Sequence, residues 1–370
     1  MFEKVALLDL TGFYFGNAQD ERTGTGCTVV LCPEGAVCGV DVRGAAPATR
    51  ETDLLQPHKT VERVNAVVLS GGSAFGLAAS NGVMTYLAEN KYGFKVGKAV
   101  VPIVVGASLF DLLVGETAYP NDDDGFAACV NAMSQQKQFA QGNVGAGCGC
   151  SSAKLLGEGS AMKTGLGYHV CRQGEVVVAA IVAVNALGSV RDSSGAWIAG
   201  PVNEQGKLLD GFTAMKKFAE FSASTATSAP ATPSASTTPS ASTATSASTT
   251  PSVSAVEAAS TYATRAHTGP SANTTLGVVV TNAALTKAQA THISSVSHDA
   301  YARSIFPVHT SMDGDAIFTM SHGCAKASVD MLGIMACEAM QQAIENGVLS
   351  SKSAYGLAAS SDAVVAANSQ

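Results

Sequence analysis

Two adjacent residues, Asn273 and Thr274, have the types and the setting needed for cleavage of the chain by itself. Thr274 heads the segment 275–281, whose apolar run predicts a buried strand. A threonine hydroxyl can attack the carbonyl that precedes it, and hydrolysis of the resulting ester leaves the threonine as a new N-terminus. Its free α-amine, with an unperturbed pKa of roughly 7.7–8.0, can then act as a base toward its own hydroxyl. A simple turn is the alternative interpretation.

A pair of carboxylates follows in the C-terminal part of the chain. Asp313 and Asp315 flank Gly314, and this spacing can hold and polarise a catalytic hydroxyl or amine. A solvated turn and a cation site are the alternatives. Two neighbouring carboxylates are too few for a calcium loop.

Two further polar residues stand in apolar or glycine-rich surroundings. Asn185 follows the most apolar run of the chain, so its amide must find partners there. It is either a structural hydrogen-bonding residue or an oxyanion donor aimed at the scissile carbonyl. Lys163 lies in a glycine-rich turn. It is either an ordinary surface lysine or, beside Thr274, a cation that favours the free-base amine.

The segment 71–76, Gly-Gly-Ser-Ala-Phe-Gly, resembles a hydrolase nucleophile elbow only at first sight. That elbow needs glycine two residues after the serine, where Phe75 stands. We interpret the segment as a strand-to-helix turn whose backbone N–H groups face a substrate pocket. His309 is isolated in the sequence, which indicates a structural histidine.

Composition sets the bounds on function. The chain has 370 residues, of which 46% are hydrophobic and 14% charged, with a net charge of −7. These values favour a large core and argue against a disordered or nucleic-acid-binding protein. The absence of a signal-peptide pattern and of a membrane-length apolar run predicts a cytoplasmic protein. The nine cysteines are scattered, so we expect buried thiols and neither a metal site nor a cofactor.

The elements that must position these residues are divided by a low-complexity tract. Residues 222–252 contain only Ser, Ala, Thr and Pro, which predicts disorder. The tract is either a tether between two domains or an insertion just before a processing site. Around it the sequence predicts strands near 65–70, 100–105, 175–184, 275–281 and 316–320, and helices ending near 90 and covering 287–294 and 325–346. This order indicates layered α+β architecture with helices outside two stacked sheets.

Several stretches together resemble a known family. They lie at 43–53, 69–77, 101–104, 110–112, 142–147, 163–167, 184–188, 273–280, 302–303, 307–310 and 313–318. Their order and spacing resemble the self-processing P1-type peptidases, also called the L-aminopeptidase/D-esterase family. Relatives in that family include β-peptidyl aminopeptidases and nylon-oligomer hydrolases.

The resemblance implies a fold and a set of roles. The fold is a four-layer αββα sandwich covering 1–370, with 222–272 as a disordered insertion and self-cleavage into 1–273 and 274–370. The implied catalytic residues are Thr274 as nucleophile, Asp313 and Asp315 beside it, Asn185 as oxyanion residue and Lys163 as the family lysine. The Asp-Gly-Asp triplet is similar to the Thr branch of the family. We further expect Gly72, Ser73, Phe110 and Tyr119 to line the substrate pocket, where acidic residues at 119–125 favour substrates with a free amine.

The function that follows is that of an amidohydrolase removing N-terminal residues from small peptides or amides. We expect a homo-oligomer of processed protomers, with no nucleic-acid or membrane partner. An acetyltransferase of the ornithine acetyltransferase-like fold is the alternative enzyme. A non-catalytic binding protein with an uncleaved tether is the other alternative.

Deleting residues 222–252 tests the interpretation of the low-complexity tract. Because the tract has no large apolar side chain and loop-closure cost changes slowly with length, the free energy of unfolding should change by no more than about 1 kcal/mol. Chemical unfolding of the deletion variant and the full chain measures this difference. A deletion variant that does not fold contradicts the prediction.

Overall fold

The described part of the chain contains seventeen strands and five α-helices, besides six short 3-10 helices. The computed structural model describes residues 2–134, 138–203, 207–227 and 273–363. The strands are β1 Glu3–Lys4, β2 Tyr14–Asp20, β3 Thr25–Val42, β4 Ala48–Arg50, β5 Val64–Ser70, β6 Phe94–Val96, β7 Ala99–Val101, β8 Val104–Ser108, β9 Ser151–Ser152, β10 Met162–Lys163, β11 Leu166–Gln173, β12 Val176–Ala183, β13 Ser189–Arg191, β14 Trp197–Ala199, β15 Leu276–Ala283, β16 Ile305–Phe306 and β17 Ala316–Ala325. The helices are α1 Ala79–Glu89, α2 Asp122–Met133, α3 Gly211–Thr227, α4 Lys287–Ser304 and α5 Val329–Leu349.

Two sheets share the long strand β3. One sheet has the order β1-β11-β12-β15-β17-β3, and the other joins β2, β3, β5, β8 and β4. Strand β3 pairs with β17 through its C-terminal half and with β5 through its N-terminal half, with a register shift between Leu31 and Ala36. The inner faces of both sheets pack into a common apolar core that includes Val67, Ile181 and Phe318.

Helices cover the outer face of each sheet. The alternation along β12 shows why: Ala179 and Ile181 point to the core between the sheets, whereas Val178 and Val182 pack with residues of α4 and α5. On the other sheet, α1 and α2 cover β3 and β5. The layers therefore follow the order α, β, β, α that the sequence predicts.

Most predicted elements are present, with three differences. Helix α4 is longer than predicted. The strand predicted at 100–105 is interrupted at Pro102, so β7 pairs with β6 while β8 lies inside the second sheet, between β5 and β4. Helix α3 continues to Thr227 and so includes the first residues of the tract predicted to be disordered. The rest of that tract, 228–272, lies outside the described residues.

The centre of the first sheet positions Thr274. Strand β15 pairs antiparallel with β12 and parallel with β17, and its first residue, Leu276, lies opposite Ala183 and Ala316. The C-terminal end of β12 and the N-terminal ends of β15 and β17 therefore meet at one edge of the sheet. Asn185, Thr274 and Asp315 each lie within two residues of these strand ends. No helix among the described residues combines the length and the apolar character needed to cross a membrane.

Candidate active site

The Asn273–Thr274 peptide is held from both sides by backbone hydrogen bonds. Thr274 N–H donates to the carbonyl of Asn185 at 2.9 Å, and Asn273 N–H donates to the carbonyl of Met312 at 3.0 Å. On the opposite side, Gly314 N–H donates to the carbonyl oxygen of Asn273 at 2.8 Å. Thr274 is only 4% exposed, so this peptide is fixed inside the protein.

The carbonyl oxygen of Asn273 accepts a second hydrogen bond from the next residue. The Thr274 hydroxyl donates to it, with Oγ1 and O 2.6 Å apart. A side chain at position 314 would intrude here, because a Cβ would lie 2.6 Å from Thr274 Oγ1 and 2.7 Å from the carbonyl oxygen of Ala46. Glycine at 314 therefore lets its N–H reach the Asn273 carbonyl while leaving room for the hydroxyl.

Asp315 holds the residue after Thr274. Its Oδ1 accepts from Thr275 N–H at 2.7 Å, and its Oδ2 accepts from His309 Nδ1 at 2.8 Å and His309 N–H at 3.3 Å. The carboxylate is buried, with 2% of the residue exposed. Asp315 thus links the start of β15 to the loop that carries His309.

Asp313 holds the same loop. Its Oδ2 accepts from Thr310 N–H at 2.7 Å and from Thr310 Oγ1 at 2.6 Å. Burial, and then the negative charge of Asp315, raise the pKa of Asp313 to about 6, although the bonds from Thr310 act in the other direction. Both predicted carboxylates thus lie beside the segment Asn273–Thr275, where they accept hydrogen bonds from Thr275, His309 and Thr310 among others.

Asn185 contacts three parts of the site. Its backbone carbonyl receives Thr274 N–H, and its Nδ2 donates to the carbonyl of Phe110 at 2.9 Å. Its Oδ1 accepts from Lys154 Nζ at 2.8 Å and from Ser151 N–H at 3.2 Å. A primary amide carries two hydrogens on its nitrogen, so Nδ2 has a donor beyond the one that Phe110 receives.

Lys163 has a different position from the one expected beside Thr274. Lys163 Nζ donates to the carbonyls of Gly147, Cys150 and Thr164, which uses all three ammonium hydrogens. Burial is the main cause that lowers its pKa to about 8. The prediction that Lys163 acts on Thr274 is therefore not supported by its contacts, and Lys154 is the lysine that reaches the site through Asn185.

Sequence reasoning named Lys163 and did not consider Lys154, whose approach to the site depends on tertiary structure. The left-handed Ala153, with φ of 64°, turns the chain so that the N–H groups of Ala153 and Lys154 reach the carbonyls of Gly188 and Leu187. This tertiary pairing brings Lys154 to Asn185. Lys154 is also buried, which is unusual for a lysine and indicates a specific partner.

The 71–76 turn is tied to the site through another missed residue, Asp111. Asp111 Oδ1 accepts from Gly72 N–H at 2.6 Å, and Oδ2 accepts from Thr25 Oγ1 at 2.8 Å. Ser73 N–H donates to the carbonyl of Leu109 at 2.8 Å. These two N–H groups are therefore occupied within the protein, which corrects the expectation that they face a substrate. Burial raises the pKa of Asp111 to about 6.

Tyr119 packs against this turn, and Phe110 lies between the two residues that bond to it, Leu109 and Asp111. The Phe110 carbonyl is the one that Asn185 holds. Tyr119 packs against Gly72, where a Cβ would lie 2.3 Å from Tyr119 Cβ, and stacks on Phe75 with ring centroids 5.0 Å apart. Both rings are open to solvent, Phe75 at 62% and Tyr119 at 47% exposure, and form an apolar surface beside the turn.

The described residues contain no group of three or more His, Cys, Asp or Glu side chains arranged to hold a metal ion. The groups gathered at the start of β15 are instead a hydroxyl, two carboxylates, an amide and an amine. This combination can carry out acyl transfer to a nucleophile.

Comparison with known proteins agrees with this chemistry. The family model for peptidase family S58 matches residues 6–361. The chain belongs to peptidase family S58. This S58 peptidase is 34% identical over 351 residues to an uncharacterised aminopeptidase of Mycobacterium tuberculosis (strain ATCC 25618 / H37Rv), a match covering 90% of this chain and 88% of the relative. It is 26% identical over 350 residues to the 6-aminohexanoate-oligomer endohydrolase of Agromyces sp. (strain KY5R), covering 91% and 84%.

Solved structures show the same fold. A β-aminopeptidase of Burkholderia sp. superimposes with a TM-score of 0.63 at 15% identity, covering all of this chain and 96% of that one. The L-aminopeptidase D-Ala-esterase/amidase of Ochrobactrum anthropi, a variant of the Ntn hydrolase fold, gives 0.61 at 15% identity, covering 95% and 89%. The predicted family, the αββα fold and the hydrolase class are thus confirmed.

The raised pKa of Asp313 predicts a pH-dependent stability difference. The folded protein binds this proton more tightly than the unfolded chain, whose aspartate pKa is about 4. Asp313 therefore contributes stability that is present below about pH 4 and lost as the pH rises to about 6. Asp313→Asn is neutral at every pH and can still accept from Thr310. The Tm of this variant minus that of the parent should therefore increase, on the order of a few degrees, between pH 4 and pH 7.

Both proteins should carry Thr274→Ala, so that they keep the same covalent state during the Tm measurement. Asp299→Asn, at an exposed position of α4, is the matched control for the loss of a carboxylate as such. A Tm difference for Asp313→Asn that does not change with pH contradicts the assigned shift.

Proposed function

We propose that this S58 peptidase cleaves its own Asn273–Thr274 bond and then uses Thr274 as the nucleophile of an aminopeptidase or amidohydrolase. The observation that supports this most directly is the pair of hydrogen bonds on the Asn273 carbonyl oxygen, from Gly314 N–H and from the Thr274 hydroxyl. The nucleophile and a backbone donor thus meet at the carbonyl group that has to be attacked.

Self-cleavage begins when Thr274 Oγ1 attacks the carbonyl carbon of Asn273. Negative charge then develops on the carbonyl oxygen, where Gly314 N–H already donates and stabilises it without rearrangement. The C–N bond breaks, the hydroxyl proton ends on the departing Thr274 nitrogen, and Asn273 is left as an ester on Oγ1. Water hydrolyses this ester to a carboxylate on Asn273 and a free hydroxyl on Thr274.

The freed residue keeps its surroundings after cleavage. Thr275 N–H remains on Asp315, and β15 remains in the core between β12 and β17, so Thr274 stays in place. Its α-amine is the base that takes the hydroxyl proton when a substrate carbonyl is attacked. The neighbouring carboxylates favour the ammonium form, whereas a lysine cation favours the free base.

Asn185 is the proposed oxyanion donor for substrates. One Nδ2 hydrogen holds Phe110, and we assign the other to the oxygen of the tetrahedral intermediate. Lys154 Nζ donates to Oδ1 of the same amide and therefore draws electron density from it, which makes Nδ2 a stronger donor. In this proposal Lys154 acts through Asn185, whereas the sequence had placed Lys163 beside the Thr274 amine.

The proposed substrates are small peptides or amides with a free amine. Two relatives are aminopeptidases, and a third is named for hydrolysis of 6-aminohexanoate oligomers, which are also amides. The aromatic pair of Phe75 and Tyr119 offers an apolar surface, and the exposed carboxylates of Asp122 and Asp123 lie just beyond Tyr119. Hydrolysis assays over α-, β-, D- and ω-amino-acid amides will identify the preferred class.

The expected assembly and location belong to the same proposal. We keep the prediction of a homo-oligomer of processed protomers. A measurement of the molecular mass in solution tests it. The nine cysteines are all unpaired, and eight of them are buried. Free buried thiols are typical of a reducing compartment and support the proposed cytoplasmic location.

Cleavage at one bond is the first expected outcome. Denaturing electrophoresis of the purified protein should give two bands, and N-terminal sequencing of the smaller should read Thr-Thr-Leu-Gly. Thr274→Ala should stay whole because it lacks the hydroxyl, and Thr274→Ser should still cleave.

Thr275→Val is the matched control for this experiment. The Thr275 hydroxyl has no hydrogen-bond partner among the described residues, while its N–H, which valine retains, donates to Asp315. This variant should cleave as the parent does. A small fragment that begins at another residue, or a whole Thr274→Ser chain, contradicts the assignment.

Loss of the Asn185 amide should lower turnover. Removing one oxyanion donor typically lowers kcat by roughly 10²–10³-fold, so processed Asn185→Ala should lose kcat far more than it raises KM. Asn65→Ala is the matched control, because Asn65 is also a buried amide that bridges two backbone groups, Pro33 O and Ile103 N–H. If processed Asn185→Ala turns over at the parent rate, Asn185 is a structural residue.

A further inference from the structure

His309 makes two hydrogen bonds to one oxygen of Asp315. Its ring Nδ1 lies 2.8 Å and its backbone nitrogen 3.3 Å from Asp315 Oδ2. Because a carboxylate only accepts, Nδ1 must carry the hydrogen. The other ring nitrogen, Nε2, has no hydrogen-bond partner among the described residues, so the hydrogen bonding of the ring is directed to Asp315.

The backbone of His309 is in the left-handed region. Its φ is 54°, which is uncommon for a residue with a side chain and is tolerated best by Gly, Asn and Asp. This conformation directs both the ring and the N–H of His309 to the same carboxylate oxygen. A strained backbone of this kind persists only where the surrounding structure holds it.

Helix α4 fixes the ring from its other side. The His309 ring packs edge-on to His298, with centroids 4.8 Å apart, and against Tyr301 at 6.0 Å and 30°. Both of these helix residues are fully buried. The ring therefore lies between a rigid helix and the carboxylate, with 18% of its side chain exposed.

We propose that His309 is a positioning residue for the self-cleavage and catalytic site. By holding Oδ2 of Asp315, it orients Oδ1 toward Thr275 N–H, and this bond fixes the start of β15 and thereby the hydroxyl of Thr274. The inference rests on the proposed function of Thr274. It replaces the interpretation of His309 as a merely structural histidine.

A matched set of variants separates the ring donor from the strained backbone. His309→Asn keeps the left-handed conformation and places a side-chain donor near the position of Nδ1. His309→Gly keeps the conformation and the backbone N–H but has no side-chain donor. His292→Asn, at an exposed position of α4, controls for the loss of a histidine as such.

The primary measurement is the rate at which freshly made precursor converts to two chains. His309→Gly should cleave about 10- to 100-fold more slowly than the parent, the size expected for a lost hydrogen bond to a charged group. His309→Asn should recover most of that rate, and His292→Asn should match the parent. Once processed, His309→Gly should show a lower kcat with little change in KM.

Two cleavage outcomes in this set overturn the inference. His309→Gly cleaving at the parent rate shows that Asp315 needs no side-chain donor, and His309→Asn cleaving no faster than His309→Gly shows that the donor is not what matters. A parent chain that never cleaves contradicts the proposed function instead. In that case crystal structures of the His309→Gly and His309→Asn chains decide: the inference requires that Asp315 Oδ1 leaves Thr275 N–H only in His309→Gly.

A second pair keeps the test usable if the glycine variant does not fold. His309→Asp has the size of the asparagine variant and accepts the same backbone conformation, but it places a second carboxylate against Asp315. It should cleave more slowly than His309→Asn. Equal cleavage rates for these two variants also overturn the inference.

Discussion

The carbonyl oxygen of Asn273 accepts hydrogen bonds from Gly314 N–H and from the hydroxyl of Thr274, and the rest of the site is arranged around this oxygen. The arrangement requires three things at once. The peptide must lie at the start of a buried central strand, residue 314 must lack a side chain, and the groups on both flanks must be hydrogen-bonded in place. Because Thr274 N–H is held by Asn185 and Thr275 N–H by Asp315, neither flank can move independently.

The buried charged groups in and around the site have lost their hydration, and hydrogen bonds within the protein compensate each of them. Asp313 and Asp111 both have a raised pKa because they are removed from water, and each accepts hydrogen bonds from backbone N–H groups and a threonine hydroxyl. Lys163 is compensated by three carbonyls. The consequence is a set of polar groups whose positions are fixed before any substrate arrives.

The sequence predicts the layers well, and it singles out a candidate nucleophile, because both depend on local pattern. An uninterrupted apolar run becomes β12 or β15 whatever surrounds it, and a hydroxyl residue at the head of such a run is visible in the sequence. Lys154 could not be distinguished from Lys163, since its approach to Asn185 depends on the pairing of residues 153–154 with 187–188. The turn at Gly72 was recognised, but the occupation of its N–H groups by Asp111 and Leu109 is a tertiary fact that the sequence does not show.

The central claim is that Thr274, once freed, forms the acyl-enzyme. Its most direct test is to mix the processed protein with an amino-acid ester that acylates quickly and to quench before hydrolysis is complete. Intact mass and peptide fragmentation then locate the acyl group. The account predicts one acyl adduct on the N-terminal residue of the chain 274–370, and none on that chain when Asn185→Ala removes the oxyanion donor and slows acylation. An adduct on Ser73 or on a cysteine, with Thr274 unmodified, would contradict it.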